Sequence, residues 1–121
     1  FRGHTRRLAE CVGEGASQEP GTVVHLLPVT DVDQHWDKLH ASDAIIFGSP
    51  TYVGSVAARF KEFIERLAGD VWLQRAWLDK LAGGFTVSAG RSGDKMSTLN
   101  QLVVAAAQMG MLWVPVPITG G

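Results

Sequence analysis

The sequence predicts an α/β domain whose parallel sheet is wound with helices on both faces. Three observations carry this. Four short runs, 22–29, 43–50, 83–90 and 111–117, are near-continuous in apolar residues rather than alternating, as strands covered on both faces are. Segments with helical periodicity lie between them. The resulting order alternates helix and strand from one end of the chain to the other, the pattern of a doubly wound fold.

The elements run in order along the chain. A first helix covers about 5–14, with Leu8 and Val12 inward and Cys11 packed as a small apolar residue. "TVVHLLPV" (22–29) is a strand, and a shorter helix occupies 32–40. "DAIIFGSP" (43–50) is the next strand. In "SVAARFKEFIERL", Val56, Phe60, Phe63, Ile64 and Leu67 recur at helical spacing as one buried stripe. Glu62 and Arg66 stand four apart on the other side, in the favourable order for an ion pair. "GGFTVSAG" (83–90) is a third strand. A helix over 95–109 turns Leu99, Leu102, Val103 and Ala106 inward and stops at Gly110. "MLWVPVP" (111–117) is the last strand. Because the pattern opens on a helix, a strand is expected in front of it. Five parallel strands then take the flavodoxin-like order 2-1-3-4-5, with ligands beyond the carboxyl ends of the strands at the switch point between strands 1 and 3. The expectation is one flavodoxin-like domain over residues 1–121, cut at both ends and lacking its first strand and last helix.

Composition narrows the function classes. With 45% hydrophobic and 19% charged residues the chain is globular, and 121 residues can bury a core. A net charge of −1 gives no electrostatic reason to expect nucleic acid or an anionic membrane as partner. The single cysteine has no intrachain disulfide partner, and neither a signal peptide nor a membrane-spanning run is legible, so a cytoplasmic address is expected.

Three loops would converge at the carboxyl edge of the sheet. "FRGHT" leads into the first helix. There Gly3 allows close backbone approach, Thr5 offers a hydroxyl, and the free N–H groups of the helix start favour an anion. His4 has no Asp, Cys or second His at ligand spacing, so no metal is expected. In "PTYVGS", Pro50 fixes the turn, Thr51 and Ser55 supply hydroxyls, Tyr52 is a flat ring with a polar tip, and Gly54 lets the chain pass close to something flat. A plain strand-to-helix turn with Ser55 as N-cap is the simpler alternative. "VSAGRSGDK" (87–95) exposes several backbone N–H groups suited to the carbonyls and ring nitrogens of a planar heterocycle. A Walker A loop and a completed G-x-G-x-x-G pattern are both missing. Nor is there a phosphoacceptor Asp after "AIIF" or a Ser-His-Asp set in the strand-end loops.

"GSPTYVGSVAARFKEFIERL", "KLAGGFTVSAGRSGDKMSTLNQL" and "AAQMGMLWVPVP" resemble the flavodoxin-like NAD(P)H-dependent FMN reductases, which include the WrbA-type NAD(P)H:quinone oxidoreductases. The resemblance implies FMN phosphate on Arg2, Gly3, His4 and Thr5, and the isoalloxazine against Pro50, Thr51, Tyr52, Val53, Gly54 and Ser55. It places the pyrimidine edge of the ring at the loop of Ser88, Ala89, Gly90 and Gly93. WrbA-type proteins commonly carry Arg where Tyr52 stands and His where Met109 stands. The activity implied is hydride transfer from NADH or NADPH to FMN, then two electrons to a quinone or similar acceptor, with no catalytic protein acid or base. An electron carrier of the flavodoxin type is the alternative. Such carriers are typically strongly acidic, and the net charge of −1 argues against it. A flavin-free interaction domain is a third reading. A homo-oligomer, dimer or tetramer, is expected, with Trp72 at an interface near a neighbouring subunit's flavin and Trp77 in the core.

Overall fold

Parallel strands with apolar faces need helices to cover them, and the chain supplies these in sequence order. The computed structural model describes residues 3–117. Helix α1 (His4–Ser17) comes first, succeeded by a segment without regular structure and a 3-10 turn (Val29–Gln34). Then come α2 (Trp36–Ala41), β1 (Ala44–Tyr52), β2 (Ser55–Val56), α3 (Ala58–Arg66) and α4 (Asp70–Leu73). The chain continues through β3 (Leu81–Val87), α5 (Lys95–Gln108) and β4 (Leu112–Trp113). The sheet order is β2-β1-β3-β4. β1 and β3 pair in parallel from Ala44↔Leu81 to Pro50↔Val87, and β3 continues in parallel into β4. β2 is antiparallel to β1, through Thr51↔Val56 and Tyr52↔Ser55.

The expected α/β class is therefore present, with β1, β3 and β4 as three neighbouring parallel strands. Three details differ from the sequence reading. The run 22–29 is extended but has no ladder partner among the described residues, and Val23 is 80% exposed. A strand needs a neighbour's hydrogen bonds, whatever its propensity. Between this run and β1 lies a cavity of about 650 Å³, lined among others by Val12, Ala16, Val24, Leu27 and Ile46. Second, the last strand is two residues long rather than seven. Third, β2 and α4 were not legible; both are too short to show a period.

The core sits on the face of β1 that carries Ile45 and Phe47. Phe47, Phe60, Phe63, Trp36 and Trp77 form one aromatic cluster, with Trp77 completely buried and its Nε1–H donating to His40 Nδ1 at 3.0 Å. Trp77 is thus a core residue, as expected. The stripe of Val56, Phe60, Phe63 and Leu67 is buried as its spacing required, with Ile64 packed at its edge. Helix α5 buries Thr98, Leu102, Ala105 and Ala106. It ends at Gly110, whose φ of 74° allows the N–H groups of Gly110 and Met111 to close back on Ala107 and Ala106 at 3.0 Å each.

Two smaller expectations fail. Cys11 is exposed on α1, whose buried residues are Thr5 and Ala9. Arg66 does not pair with Glu62. It bonds Asp33 instead and lies over the Trp36 ring, 5.4 Å from its centroid. The guanidinium gains more from a carboxylate and a ring face together than from an exposed helix pair.

Candidate functional site

The carboxyl ends of β1 and β3 lie side by side, because their parallel register holds to Pro50↔Val87. The segment leaving each strand forms one wall of the site. After β1 the chain makes a tight hairpin rather than an open loop. Tyr52 and Ser55 pair, and the two residues between them, Val53 and Gly54, both have positive φ, 51° and 71°. A two-residue turn with positive φ at both positions matches the twist of antiparallel strands and favours Asn or Gly first. Here the first residue is valine. A β-branched residue in the left-handed region is a backbone outlier, and such outliers collect at functional sites. Nothing in the fold shelters it: Val53 is 104% exposed and Tyr52 62%. An aromatic and an aliphatic side chain thus stand uncovered at the strand ends.

The second wall is the loop after β3, running into α5. Its Ser88 hydroxyl donates to the Gly90 carbonyl at 2.6 Å, and Lys95 Nζ donates to the carbonyls of Gly90 and Arg91 at 3.2 and 2.6 Å. The loop is thereby folded on itself, with its carbonyls held by a cation. The walls meet at Gly54: a Cβ there would lie 3.6 Å from Asp94 Cβ. Ala89, Gly90 and Gly93 belong to this loop, beside the hairpin.

Helix α1 contacts β1 and β3. Its N-terminus begins at Gly3, which has a φ of 67°, and carries neither a side-chain cap nor an acid in its first turn. Such an end offers free N–H groups to an anion. His4 is exposed and Thr5 buried. No hydrogen bond links residues 3–5 to the other two loops among the described residues. Arg2 lies outside the described residues.

The hydroxyls that the hairpin segment offers to a ligand, those of Thr51 and Ser55, are used within the protein. Thr51 Oγ1 donates to Thr98 Oγ1 at 2.8 Å and lies 2.6 Å from Thr86 Oγ1, which can donate to it. Ser55 Oγ donates to Gln101 Oε1 at 3.1 Å, and the same oxygen accepts the Val56 N–H at 3.1 Å. Ser55 is therefore no N-cap. Ala57 takes that place, and its N–H donates to the buried Ser49 hydroxyl at 2.9 Å. Ser49, Thr86, Thr98 and Gln101 escaped the sequence reading. The spacing of Thr98 and Gln101 on one helix face was their one signal, and polar residues at i, i+3 are too common to single out.

The family model of the NADPH-dependent FMN reductases matches residues 28–119, which include the hairpin, the loop after β3 and the three parallel strands. The chain belongs to this family. Among its relatives, Flavodoxin FldP of Pseudomonas aeruginosa is 39% identical over 113 residues, covering 93% of this chain and 59% of the flavodoxin. The NAD(P)H dehydrogenase (quinone) of Geobacter sulfurreducens is 31% identical, covering 95% of this chain and 67% of the enzyme. The chain thus spans less than two thirds of the first relative and about two thirds of the second. Its fold matches the crystal structure of a flavodoxin, WrbA-like protein from Agrobacterium tumefaciens with a TM-score of 0.76 and 42% identity. That match covers 93% of this chain and 69% of the other. One difference separates the two kinds of relative. The alignment to the quinone enzyme runs over 137 residues, more than the 121 of this chain, so that enzyme carries an insertion inside the matched region. The 113-residue alignment to the flavodoxin gives no sign of one.

Proposed function

We propose that this member of the FMN reductase family binds FMN along the edge made by residues 2–5, 50–55 and 88–93, and that NADH or NADPH reduces it for two-electron transfer to a quinone or similar acceptor. The observation that carries the reading is the strained, uncovered Tyr52–Ser55 hairpin packed beside the loop after β3. An exposed ring and valine on a rigid turn suit a flat heterocycle. The residues present fit the cofactor: an apolar tip for the ring, a self-braced loop beside it, and an uncapped helix start for the phosphate. Bound FMN supplies the ring that accepts a hydride. The hairpin and the loop after β3 would position that ring and place backbone dipoles near it. No side chain is assigned an acid or base role.

Titration with FMN, monitored by flavin fluorescence, tests the site. Saturable quenching is expected, and folded protein that leaves the fluorescence unchanged overturns it. The electron-carrier reading keeps one observation in its favour, the flavodoxin relative whose alignment needs no insertion. Anaerobic mixing with NADH and with NADPH separates the two. Bleaching of bound flavin by either supports the reductase, and bleaching by neither favours the carrier.

The wider assembly belongs to the same proposal. A homodimer or homotetramer would use the groove of about 1160 Å³ between α3 and α5, where Trp72 is half exposed beside Ile64, Val104 and Met109. One further apolar strand would fill the gap between the run 22–29 and β1, completing a single domain. A cytoplasmic setting suits the exposed Cys11. No helix among the described residues is long and apolar enough to cross a membrane.

A further inference from the structure

Gln101 and Thr98 stand one turn apart on α5, and between them they grip both legs of the hairpin. Thr98, completely buried, takes the hydroxyl of Thr51 on the incoming strand. Gln101 uses a single oxygen to accept two donors from the outgoing strand, Ser55 Oγ–H and Val56 N–H. The second wall of the site hangs on the same helix, since the loop from Ser88 to Asp94 runs directly into Lys95. A left-handed valine with no burial to compensate persists only where its surroundings leave no alternative. These bonds are that surrounding.

We propose that Gln101 and Thr98 are positioning residues that fix the hairpin in its flavin-accepting shape and hold it in register with the loop after β3. The proposal rests on the FMN reading given under Proposed function. Neither residue touches the ring; each acts through the hairpin. Their effect is to settle the shape of the turn before FMN arrives, so that binding need not order it.

The test uses the protein expressed from its complete reading frame and compares Gln101→Met with Gln101→Glu. Methionine keeps the length and removes the acceptor, whereas a carboxylate still accepts both bonds. In the protein without FMN, amide hydrogen exchange at Val56 should accelerate in Gln101→Met and stay near the parent rate in Gln101→Glu. FMN dissociation constants by fluorescence should rise about tenfold in the first and less than about twofold in the second, as expected for losing two neutral hydrogen bonds. If Gln101→Met fails to fold, Ser55→Ala removes one of the two bonds from the hairpin side, and a rise of about threefold is expected. A Gln101→Met protein whose FMN affinity equals the parent's overturns the positioning role, even if its melting temperature falls. Parent protein that does not bind FMN overturns the functional reading instead, and the exchange rates at Val56 still report on the brace.

Discussion

Replacing Val53 by asparagine should make the protein more stable and a weaker flavin binder at once. An L-residue in the left-handed region costs about 1–2 kcal/mol, and asparagine relieves much of that through local hydrogen bonding. Val53 has a φ of 51° and is fully exposed, so the substitution sacrifices no buried apolar area in the free protein. It also creates the Asn-Gly pair that this kind of turn favours, with Gly54 already in place. A gain of about 1 kcal/mol is expected, or roughly 3–6 °C in melting temperature for a chain of this size. Against FMN the balance reverses. A valine half covered by the ring contributes about 1 kcal/mol of apolar burial, so its loss should weaken binding about fivefold. Scanning calorimetry without FMN and fluorescence titration with it give the two numbers. A melting temperature that stays level or falls would refute the strain argument. A rise accompanied by unchanged FMN affinity would show that the hairpin tip lies away from the ring.

Other expectations are simpler. Gly48→Ala would set a Cβ 2.1 Å from the far end of the half-buried Phe85 ring, which lines the cavity beside β1 and can move into it, so the cost should stay at about 1 kcal/mol, measurable by urea unfolding. Trp77→Ala should cost about 3–5 kcal/mol, because it empties the centre of the aromatic cluster. Trp77→Phe should cost clearly less, since His40 is exposed and can bond water in place of the indole. Asp33 is held below the usual carboxylate range by its hydrogen bonds from Arg66 and Trp36. Because its folded value is the lower one, its contribution is complete above the ordinary carboxylate pKa and disappears as pH falls through the lowered value. Acid unfolding curves of the parent and Asp33→Asn should therefore differ near neutrality and converge in strong acid.

The strand, helix and core residues that repeat a period were legible. Phe60, Phe63 and Leu67 announce a buried helical face, Gly110 announces a helix end, and "AIIF" announces a strand. What could not be read depends on partners distant in sequence. "TVVHLLPV" has every local property of a strand, yet pairing belongs to the neighbour and not to the segment. At the proposed site, composition drew attention to the stretch around Tyr52 but did not show that its hydroxyls bond within the protein. Thr51 and Ser55 face Thr98 and Gln101, 47 and 46 residues away, a relation that no local window contains. The left-handed valine was illegible for a related reason. Propensity assigns Val53 to a strand, and only the bonds on either side of it force the turn.

The unpartnered side of β1 bears on how the protein behaves at concentration. Residues 44–50 pair with β3 on one edge and with no strand on the other among the described residues. Within it, residues 44–49 are uncharged, carry the β-formers Ile45, Ile46 and Phe47, and offer amide and carbonyl groups that no strand takes up among the described residues, the qualities of a template for adding a neighbour's strand. Asp43 and Pro50 bracket it, a charge at one end and a missing donor at the other, as gatekeepers do around hydrophobic strands. Whatever fills the gap beside β1 therefore also governs colloidal behaviour: a preparation in which that edge stays open is expected to add strand to strand between molecules, and to lose protein to sedimenting aggregates well below its melting temperature.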